Sequence, residues 1–302
     1  MISLLSFLLL LERPISQEPH GDTPLMTAAL SGDLAKVRAL LAKGANVNEG
    51  NRLGMTPLMF AVGATPIGPG GHRCNPDLLK ELLDRGADVN AQAVGGTALL
   101  FAVENGDIAA VSTLLARGAD PNLHGPTGTP LEQAAARREP EIVSKLLARG
   151  AKPLGYRDAN GRTTLMSAIG AVPHVAPGRV LELVWPISIG TDIVATILDH
   201  GADAEINERS RSGETALTMA VLTGHVALVQ VLLEHGADPN IKDRSLGDAT
   251  ALIIAACEGA STNMVRLLLE KGADPAATDA RAKTALQCAR EKGLDDTVKL
   301  LQ

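Results

Sequence analysis

Aromatic side chains are scarce in this chain. Its 302 residues include three Phe, one Trp and one Tyr, which together make 2% of the sequence, whereas hydrophobic residues of all kinds make 45%. A core with so few rings has to be built from Leu, Val, Ile and Ala, and such a core suits many thin, similar layers better than one bulky centre. The composition therefore favours an elongated array over a single globule.

Charge of one sign is also lacking. The net charge is −6, which is mild for this length, and no long block of Lys and Arg occurs. Because a protein that binds nucleic acid usually carries a concentrated basic surface, we expect no nucleic-acid partner.

Cysteines are few, and the common catalytic motifs are absent. The cysteines Cys74, Cys257 and Cys288 are too scattered to indicate a disulfide framework or a C-x-x-C metal pair. The sequence contains no G-x-S-x-G elbow, no G-x-x-x-x-G-K-S/T loop and no H-E-x-x-H helix. We therefore predict no catalytic activity, no cofactor, no metal site and no small-molecule substrate.

Long hydrophobic runs are absent except near the start, where Leu4–Leu11 is almost continuously apolar. This run is too short to cross a membrane, which takes about 20 residues, although its length fits the core of an export signal. No Lys or Arg precedes Arg13, and the stretch FLLLLERP at 7–14 parallels VRLLLEKG at 265–272. Residues 1–20 are therefore half a repeat that covers one end of an array, an export signal or the product of a misplaced start. A cytoplasmic location is slightly favoured, with export as the alternative.

Two short phrases recur in phase along the rest of the chain. One begins with Thr and reads TPLM, TALL or a close variant, with its Thr at positions 23, 56, 97, 129, 163, 215, 250 and 284. The other reads LLARGADPN or a close variant, and its seven copies run from LLAKGANVN at 40–48 to LLEKGADPA at 268–276. The period is about 33 residues, and two intervals are lengthened by insertions.

The first unit shows how each copy is expected to fold. Thr23 before Pro24 predicts a helix start, because the hydroxyl accepts a backbone N–H and Pro at the first helical position loses no hydrogen bond. Gly32 ends this helix, Asp33 caps the next one, and Gly44 ends that helix in turn. One such pair cannot bury its own apolar stripe, whereas stacked neighbours shelter one another. The carboxylate of the GAD phrase is expected to bond to turn backbone, at Asp88, Asp120, Asp203, Asp238 and Asp274.

On these phrases the sequence resembles the ankyrin-repeat family over residues 21–302, with seven full repeats and an eighth that stops inside its second helix. The resemblance implies a mainly α solenoid of paired antiparallel helices with projecting β-hairpin turns. The family usually has His after T-P-L, and this His makes hydrogen bonds between hairpins. Those bonds are expected to be missing here, because the position holds Met26, Met59, Leu100, Glu132, Met166, Thr218, Ile253 and Gln287.

Insertions are predicted at 63–76, in repeat two, and at 170–190, in repeat five. The first is rich in Gly and Pro and is expected to be a solvated loop, since His72 and Cys74 are too few ligands for zinc. The second contains an apolar stretch with Trp185, the one Trp of the chain. Two interpretations are open: the stretch folds back onto the stack as a satellite core, or it is a docking patch for a partner.

The family resemblance implies that a partner protein binds along the concave face, which hairpin tips and first helices form. The positions of this sequence that match the family's contact positions are Arg52, Leu53, Met55, Val94, Glu104, Asn105, Arg137, Arg162, Arg211, Glu214, Leu222 and Arg281, to which the second insertion adds Trp185. We therefore predict a monomeric, non-catalytic module that binds an unidentified protein. The alternative is an inhibitor or immunity-type protein, or an exported effector or accessory protein, that acts on a specific enzyme or host protein.

Basic residues recur near the predicted hairpin tips, at Arg52, Arg157, Arg162, Arg209, Arg211, Lys242, Arg244, Arg281 and Lys283. In a chain with net negative charge this local excess could steer an acidic segment of a partner. Exposed turns also need charge for solubility, and acidic residues interrupt the strip at Asp158, Glu208, Asp243 and Asp279. Both interpretations are open from the sequence.

Overall fold

The computed structural model describes residues 21–65, 68–69, 74–170 and 187–302. Within these ranges the chain forms sixteen α-helices, which are arranged as eight pairs. A helix able to span a lipid bilayer is not found among the described residues. Residues 1–20, His72 and Trp185 lie outside these ranges, so the predictions made for them stay predictions.

Each repeat contributes one pair of helices, and the eight pairs follow one another in chain order. In the first four repeats the pairs are α1 (Pro24–Leu30) and α2 (Leu34–Ala42), α3 (Pro57–Ala61) and α4 (Pro76–Asp84), α5 (Ala98–Glu104) and α6 (Ile108–Ala116), and α7 (Pro130–Ala136) and α8 (Pro140–Ala148). In the last four repeats they are α9 (Thr164–Gly170) and α10 (Ile187–Asp199), α11 (Ala216–Thr223) and α12 (Val226–Glu234), α13 (Ala251–Glu258) and α14 (Thr262–Glu270), and α15 (Ala285–Glu291) and α16 (Asp295–Leu301).

The two predicted insertions contain some regular structure. In repeat two, β1 (Ala64–Thr65) and β2 (Gly68–Pro69) pair in antiparallel fashion inside the segment that was expected to be a loop. In repeat five, α10 begins at Ile187, so the last residues of the predicted insertion 170–190 belong to a helix. Two short 3-10 helices, Ala202–Glu205 and Arg244–Leu246, lie in later turns.

The first helix of each repeat starts where a Thr is placed to cap it. The Thr23 hydroxyl accepts the Met26 N–H at 3.3 Å, and the equivalent bond recurs in six of the seven other repeats. Thr56 is the exception, because its hydroxyl is buried without a hydrogen-bond partner among the described residues. Asp33 and Asn75 cap the second helices α2 and α4 in the same way. The Thr, Asp and Asn residues that predicted helix starts in the sequence thus act as N-terminal caps in the structure.

The helices stack in two rows. The first helices pack against one another in chain order, and so do the second helices. The residue five positions after each Thr is a buried alanine, whose small side chain lets the rows approach closely, at Ala28, Ala61, Ala102, Ala134, Ala168, Ala220, Ala255 and Ala289. The Leu two positions after each Thr is buried in the first seven repeats, whereas Leu286, in the last repeat, is half-buried. The predicted mainly α solenoid is confirmed.

Asparagine side chains connect the turns of successive repeats. Asn48 donates through Nδ2 to the Gly86 carbonyl at 3.0 Å and accepts the Asp88 N–H at 2.7 Å. We call this two-bond arrangement an Asn bridge, and it recurs at Asn90, Asn122, Asn207 and Asn240. The Asn bridges lie in the turns after the second helices, away from the position of the family's His, and they were not predicted from the sequence.

The carboxylates of the GAD phrase bond to turn backbone, as predicted, in four of the five copies. Asp88 Oδ1 accepts the Asn90 N–H at 2.9 Å, and equivalent bonds are made by Asp120, Asp238 and Asp274. Asp203 differs, since its Oδ1 lies 2.9 Å from Nδ1 of His235. The turn chemistry is thus local and readable from the sequence.

Cys257 and Cys288 form a disulfide between α13 and α15, with their Cα atoms 4.8 Å apart. The expectation that the cysteines indicate no disulfide is therefore wrong. Their separation of 31 residues is close to one repeat period, so the two side chains meet across adjacent layers of first helices. Cys74 is free, and burial raises the pKa of its thiol to about 12, which makes it a poor nucleophile.

Candidate protein-binding face

Hairpin tips project between successive helix pairs and are closed by backbone hydrogen bonds. The Asn51 N–H bonds to the Met55 carbonyl at 3.0 Å, and similar bonds close the later tips. Neighbouring tips also touch, since the Val94 N–H bonds to the Leu53 carbonyl at 3.0 Å. The tips therefore form an edge that runs along the solenoid beside the first helices.

The residues predicted to contact a partner differ in their exposure. Five of them are exposed, namely Arg52, Val94, Arg137, Arg211 and Arg281. Six more are half-buried, namely Leu53, Glu104, Asn105, Arg162, Glu214 and Leu222. Met55 is only 3% exposed and belongs to the hydrophobic core, because closing of its hairpin turns the side chain inward; the structure removes it from the face. Trp185 is outside the described residues.

Three of the predicted contact residues meet at one cleft, between repeats five and six. Arg162, Glu214 and Leu222 line a cavity of about 90 Å³, which Ile169, Gly170, Met219 and Thr223 complete. Ile169 and Met219 were not among the predicted contact residues. Both lie on first helices, which were expected to form the face. The cleft combines a charged wall with apolar side chains, a combination suited to holding another polypeptide.

The charged wall of this cleft is held in place by its own hydrogen bonds. Arg162 Nη2 lies 3.4 Å from Glu214 Oε2. The same carboxylate oxygen accepts the hydroxyls of Ser210 at 3.2 Å and Ser212 at 3.0 Å. Asp158 Oδ1 accepts the backbone N–H of Arg162 at 2.8 Å. Because both charged groups are already ordered, a partner would lose little conformational entropy on their account.

A second polar group lies at the junction of repeats three and four. The Thr127 hydroxyl donates to Glu104 Oε1 at 2.9 Å. Burial raises the pKa of the Glu104 carboxyl, while the bond from Thr127 and the positive charge of Arg137 lower it. Asn105 instead donates through Nδ2 to the Val62 carbonyl at 2.7 Å, so this amide ties repeats two and three together.

The basic residues near the tips fall into two groups. One group is ion-paired with glutamates, in the pairs Arg157–Glu208, Arg162–Glu214 and Lys283–Glu291. Another group is exposed and forms no ion pair with any described residue; it includes Arg211, Lys242, Arg244 and Arg281. The second group therefore has no ion-pair partner within direct contact among the described residues, while the charges of Arg281 and Asp279 interact at longer range.

The hairpin tips carry both exposed polar and exposed apolar side chains. In the part of the chain that the structure describes, no three His, Cys, Asp or Glu side chains are placed to hold a metal ion. Two large apolar side chains are exposed at the tips, Val94 at 64% and Leu246 at 40%. Exposed apolar side chains beside ordered polar groups are typical of surfaces that bind other proteins.

Comparison with known proteins places the repeats in a family. The family described as ankyrin repeats (3 copies) matches residues 2–93, 72–155, 99–175 and 244–302, and the family described as ankyrin repeats (many copies) matches residues 197–255. Over 92 residues the chain is 35% identical to the ankyrin repeat, SAM and basic leucine zipper domain-containing protein 1 of Equus caballus. That stretch is 30% of this chain and 17% of the Equus caballus protein, so the chain spans only a small part of that relative's length.

Proposed function

The chain belongs to the ankyrin-repeat family, whose repeats are generally protein–protein interaction modules, and we propose that it binds a partner protein along the edge of hairpin tips and the neighbouring first helices. The observation that carries this proposal is the apolar exposure along that edge: Val94 is 64% exposed and Leu246 is 40% exposed at tips far apart in the array. A partner that covered these side chains would gain buried apolar area at each of the two tips.

The cleft between repeats five and six supports the same face. Arg162 and Glu214 are ordered by their own contacts, and Leu222 supplies apolar surface next to them. A few well-placed anchors of this kind usually provide most of the affinity of an interface. We propose that the chain acts by this binding alone, without catalysis. No contact among the described residues favours the inhibitor or exported-effector alternative.

Capture of partners from native extract tests the proposed face. The tagged protein is compared with a variant carrying Val94→Glu, Arg137→Glu and Arg211→Glu, and captured proteins are quantified by mass spectrometry. We expect the specific partners to fall at least about tenfold, because each change places a charge on the face.

The matched control is Ala109→Glu, which adds a charge to the exposed surface of α6, away from the tips. This control should capture the same partners as the unchanged protein. If the triple variant also retains them all, with an unchanged melting temperature, the binding face lies elsewhere on the solenoid.

A further inference from the structure

The hairpin tips of the last four repeats form a continuous surface through backbone contacts. The Arg211 N–H bonds to the Asn160 carbonyl at 2.9 Å, and Arg211 Nη1 donates to the Ala159 carbonyl at 2.7 Å. A Cβ atom added to Gly213, whose φ is +96°, would lie 2.6 Å from Arg244 Cβ, so these two tips are in close contact. We name the exposed cations Arg211, Arg244 and Arg281 the basic ridge.

The third member of the basic ridge is joined to the second in the same way. The Ala280 N–H, next to Arg281, bonds to the Gly247 carbonyl at 2.8 Å, in the tip that carries Arg244. Stacked helices lie about 8–10 Å apart, so three successive tips span about 20 Å. An extended peptide of about six or seven residues covers that distance.

Two of the acidic residues that interrupt the strip in the sequence accept hydrogen bonds within their own tips. Asp243 is fully buried and accepts the Ser245 hydroxyl at 2.6 Å. Asp279 Oδ1 accepts the backbone N–H groups of Lys283 and Arg281, both at 2.8 Å, and these bonds, together with the positive charges of Arg281 and Lys283, hold its pKa below its usual range.

The remaining interrupting acids are also engaged internally. Asp158 Oδ1 accepts the Asn160 N–H at 2.7 Å, and Glu208 is paired with Arg157 at 3.2 Å. Three of these carboxylates bond within turns and Glu208 pairs with Arg157, whereas the residues of the basic ridge are exposed and have no ion pair with any described residue.

An apolar side chain lies within the basic ridge. Leu246 is 40% exposed and follows Arg244 by two residues in the same tip. A partner segment that matches this surface carries several carboxylates and one apolar side chain. Building on the proposed function, we propose that the basic ridge and Leu246 bind an acidic, extended peptide segment of the partner protein.

Nucleic acid fits this surface less well than an acidic peptide. Proteins that bind single strands without sequence preference stack bases on aromatic side chains, and the chain has 2% aromatic residues with none at these tips. The chain's net charge of −6 also opposes a long polyanion that extends beyond the ridge. A short acidic peptide contacts only the basic ridge, where the local potential is positive, and does not extend over the negatively charged remainder of the chain.

Fluorescence anisotropy with defined probes tests the proposal on the full chain. The probes are a labelled peptide of about ten Glu and Asp residues around one Leu, long enough to span three tips, and the same peptide with Gln and Asn in place of the acids. An oligothymidine of similar length is the third probe. We expect the acidic peptide to bind at low salt, the neutral one to bind at least about tenfold more weakly, and added salt to weaken binding.

Variants of the chain locate the binding site. Arg244→Glu with Arg281→Glu should weaken binding of the acidic peptide at least about tenfold, and Arg244→Gln with Arg281→Gln should weaken it less. Arg266→Glu is the matched control, because Arg266 is exposed on α14 in the same repeat as Arg244 but away from the tips. This control should change binding less than about twofold.

Several outcomes would overturn the inference. They are no detectable binding of the acidic peptide, equal loss in the Arg266→Glu control, and oligothymidine binding as tight as that of the peptide. None of these touches the proposed function, which is judged separately by a capture variant carrying only Val94→Glu and Arg137→Glu, because neither residue belongs to the basic ridge. If that experiment shows a loss of captured partners while the basic ridge binds no acidic peptide, the proposed binding face stands. Only the inference of an acidic partner segment then fails.

Discussion

At the scale of single residues, Glu132 is the most unusual side chain of the described core. It is 4% exposed and follows the cap of α7, where its Oε2 accepts the Thr129 N–H at 3.2 Å. Burial raises the pKa of its carboxyl to about 7; the bond from Thr129 opposes the rise, and the nearby charge of Asp158 adds to it. In repeat eight the same position holds Gln287, which makes the same bond to the Thr284 N–H without a charge.

We predict that Glu132 makes folding stability depend on pH. The folded carboxyl keeps its proton up to about pH 7, whereas the unfolded one loses it near 4.5, so stability is complete below about 4.5 and declines as the pH rises through 7. Glu132→Gln should remove this decline and stabilise the protein by about 1–2 kcal/mol at pH 8. Urea unfolding at pH 5 and pH 8 measures the effect.

The control for Glu132 is Glu141→Gln, since Glu141 is 60% exposed and paired with Lys145 on the surface of α8. Surface pairs of this kind contribute little to stability. Equal pH dependence of the unchanged protein and of Glu132→Gln would contradict the role given to the buried carboxyl.

The Asn bridges lead to a second prediction at this scale. Asn90→Ala removes the bonds to the Gly118 carbonyl and from the Asp120 N–H, which measure 3.1 and 2.8 Å. We expect a loss of about 1–2 kcal/mol in the free energy of unfolding. Asn263→Ala, at an exposed position of α14 with no side-chain bond among the described residues, should cost less than about 0.5 kcal/mol. Equal losses would show that the bridges add no stability.

At the scale of secondary-structure elements, the helices could be predicted from the sequence because their signals are local. Thr23 and Asp33 sit directly before the helices that they cap, and Gly44 follows Lys43, the C-terminal cap of the helix that it ends. The predicted contact positions are exposed or half-buried in every described case except Met55. Whether Met55 points outward or inward depends on packing against the neighbouring layer, which no local pattern encodes.

The disulfide was missed for a related reason. Cys257 and Cys288 occupy different positions within their own repeats, and they approach each other only because α13 and α15 stack. Counting cysteines and their spacing reveals frameworks in small domains, but it does not reveal a pair that two layers bring together. Layer-to-layer register is a property of the assembled stack.

We predict that the disulfide can be detected by alkylation. In denaturant without a reductant, one of the three cysteines, Cys74, should react, and all three should react after reduction. Cys257→Ser with Cys288→Ser should lower the stability of the C-terminal repeats by about 2–4 kcal/mol, because the bond closes a loop of 31 residues. Three labelled cysteines before reduction would show that the bond is not formed.

At the scale of the whole molecule, the ladder of Asn bridges is interrupted once. In repeat four, Leu154 stands where Asn48, Asn90 and Asn122 stand in the first three repeats, so no Asn bridge joins repeats four and five. The Gly155 N–H instead bonds to Glu205 Oε1 at 3.1 Å. In a stack where each layer contacts only its neighbours, stability is the sum of layers and interfaces. A weaker interface therefore has a local effect.

We predict that repeat five opens first under native conditions. Hydrogen exchange followed by mass spectrometry should show faster exchange in α9 and α10 than in α5 to α8, which lie between intact Asn bridges. Leu154→Asn should slow that exchange if it restores the bridge. Uniform protection across all eight repeats would contradict this reading of the interruption.

The bond between Cys257 and Cys288 also has a mechanical consequence. When the chain is stretched from its two ends, tension bypasses the 31-residue loop through the sulfur atoms, so those residues do not lengthen. The fully extended molecule is therefore about 100 Å shorter than its residue count implies. Under load, the hairpin tip that carries Arg281 lies inside this loop and is shielded from the tension. It therefore stays joined to the repeat before it after the other repeats have separated.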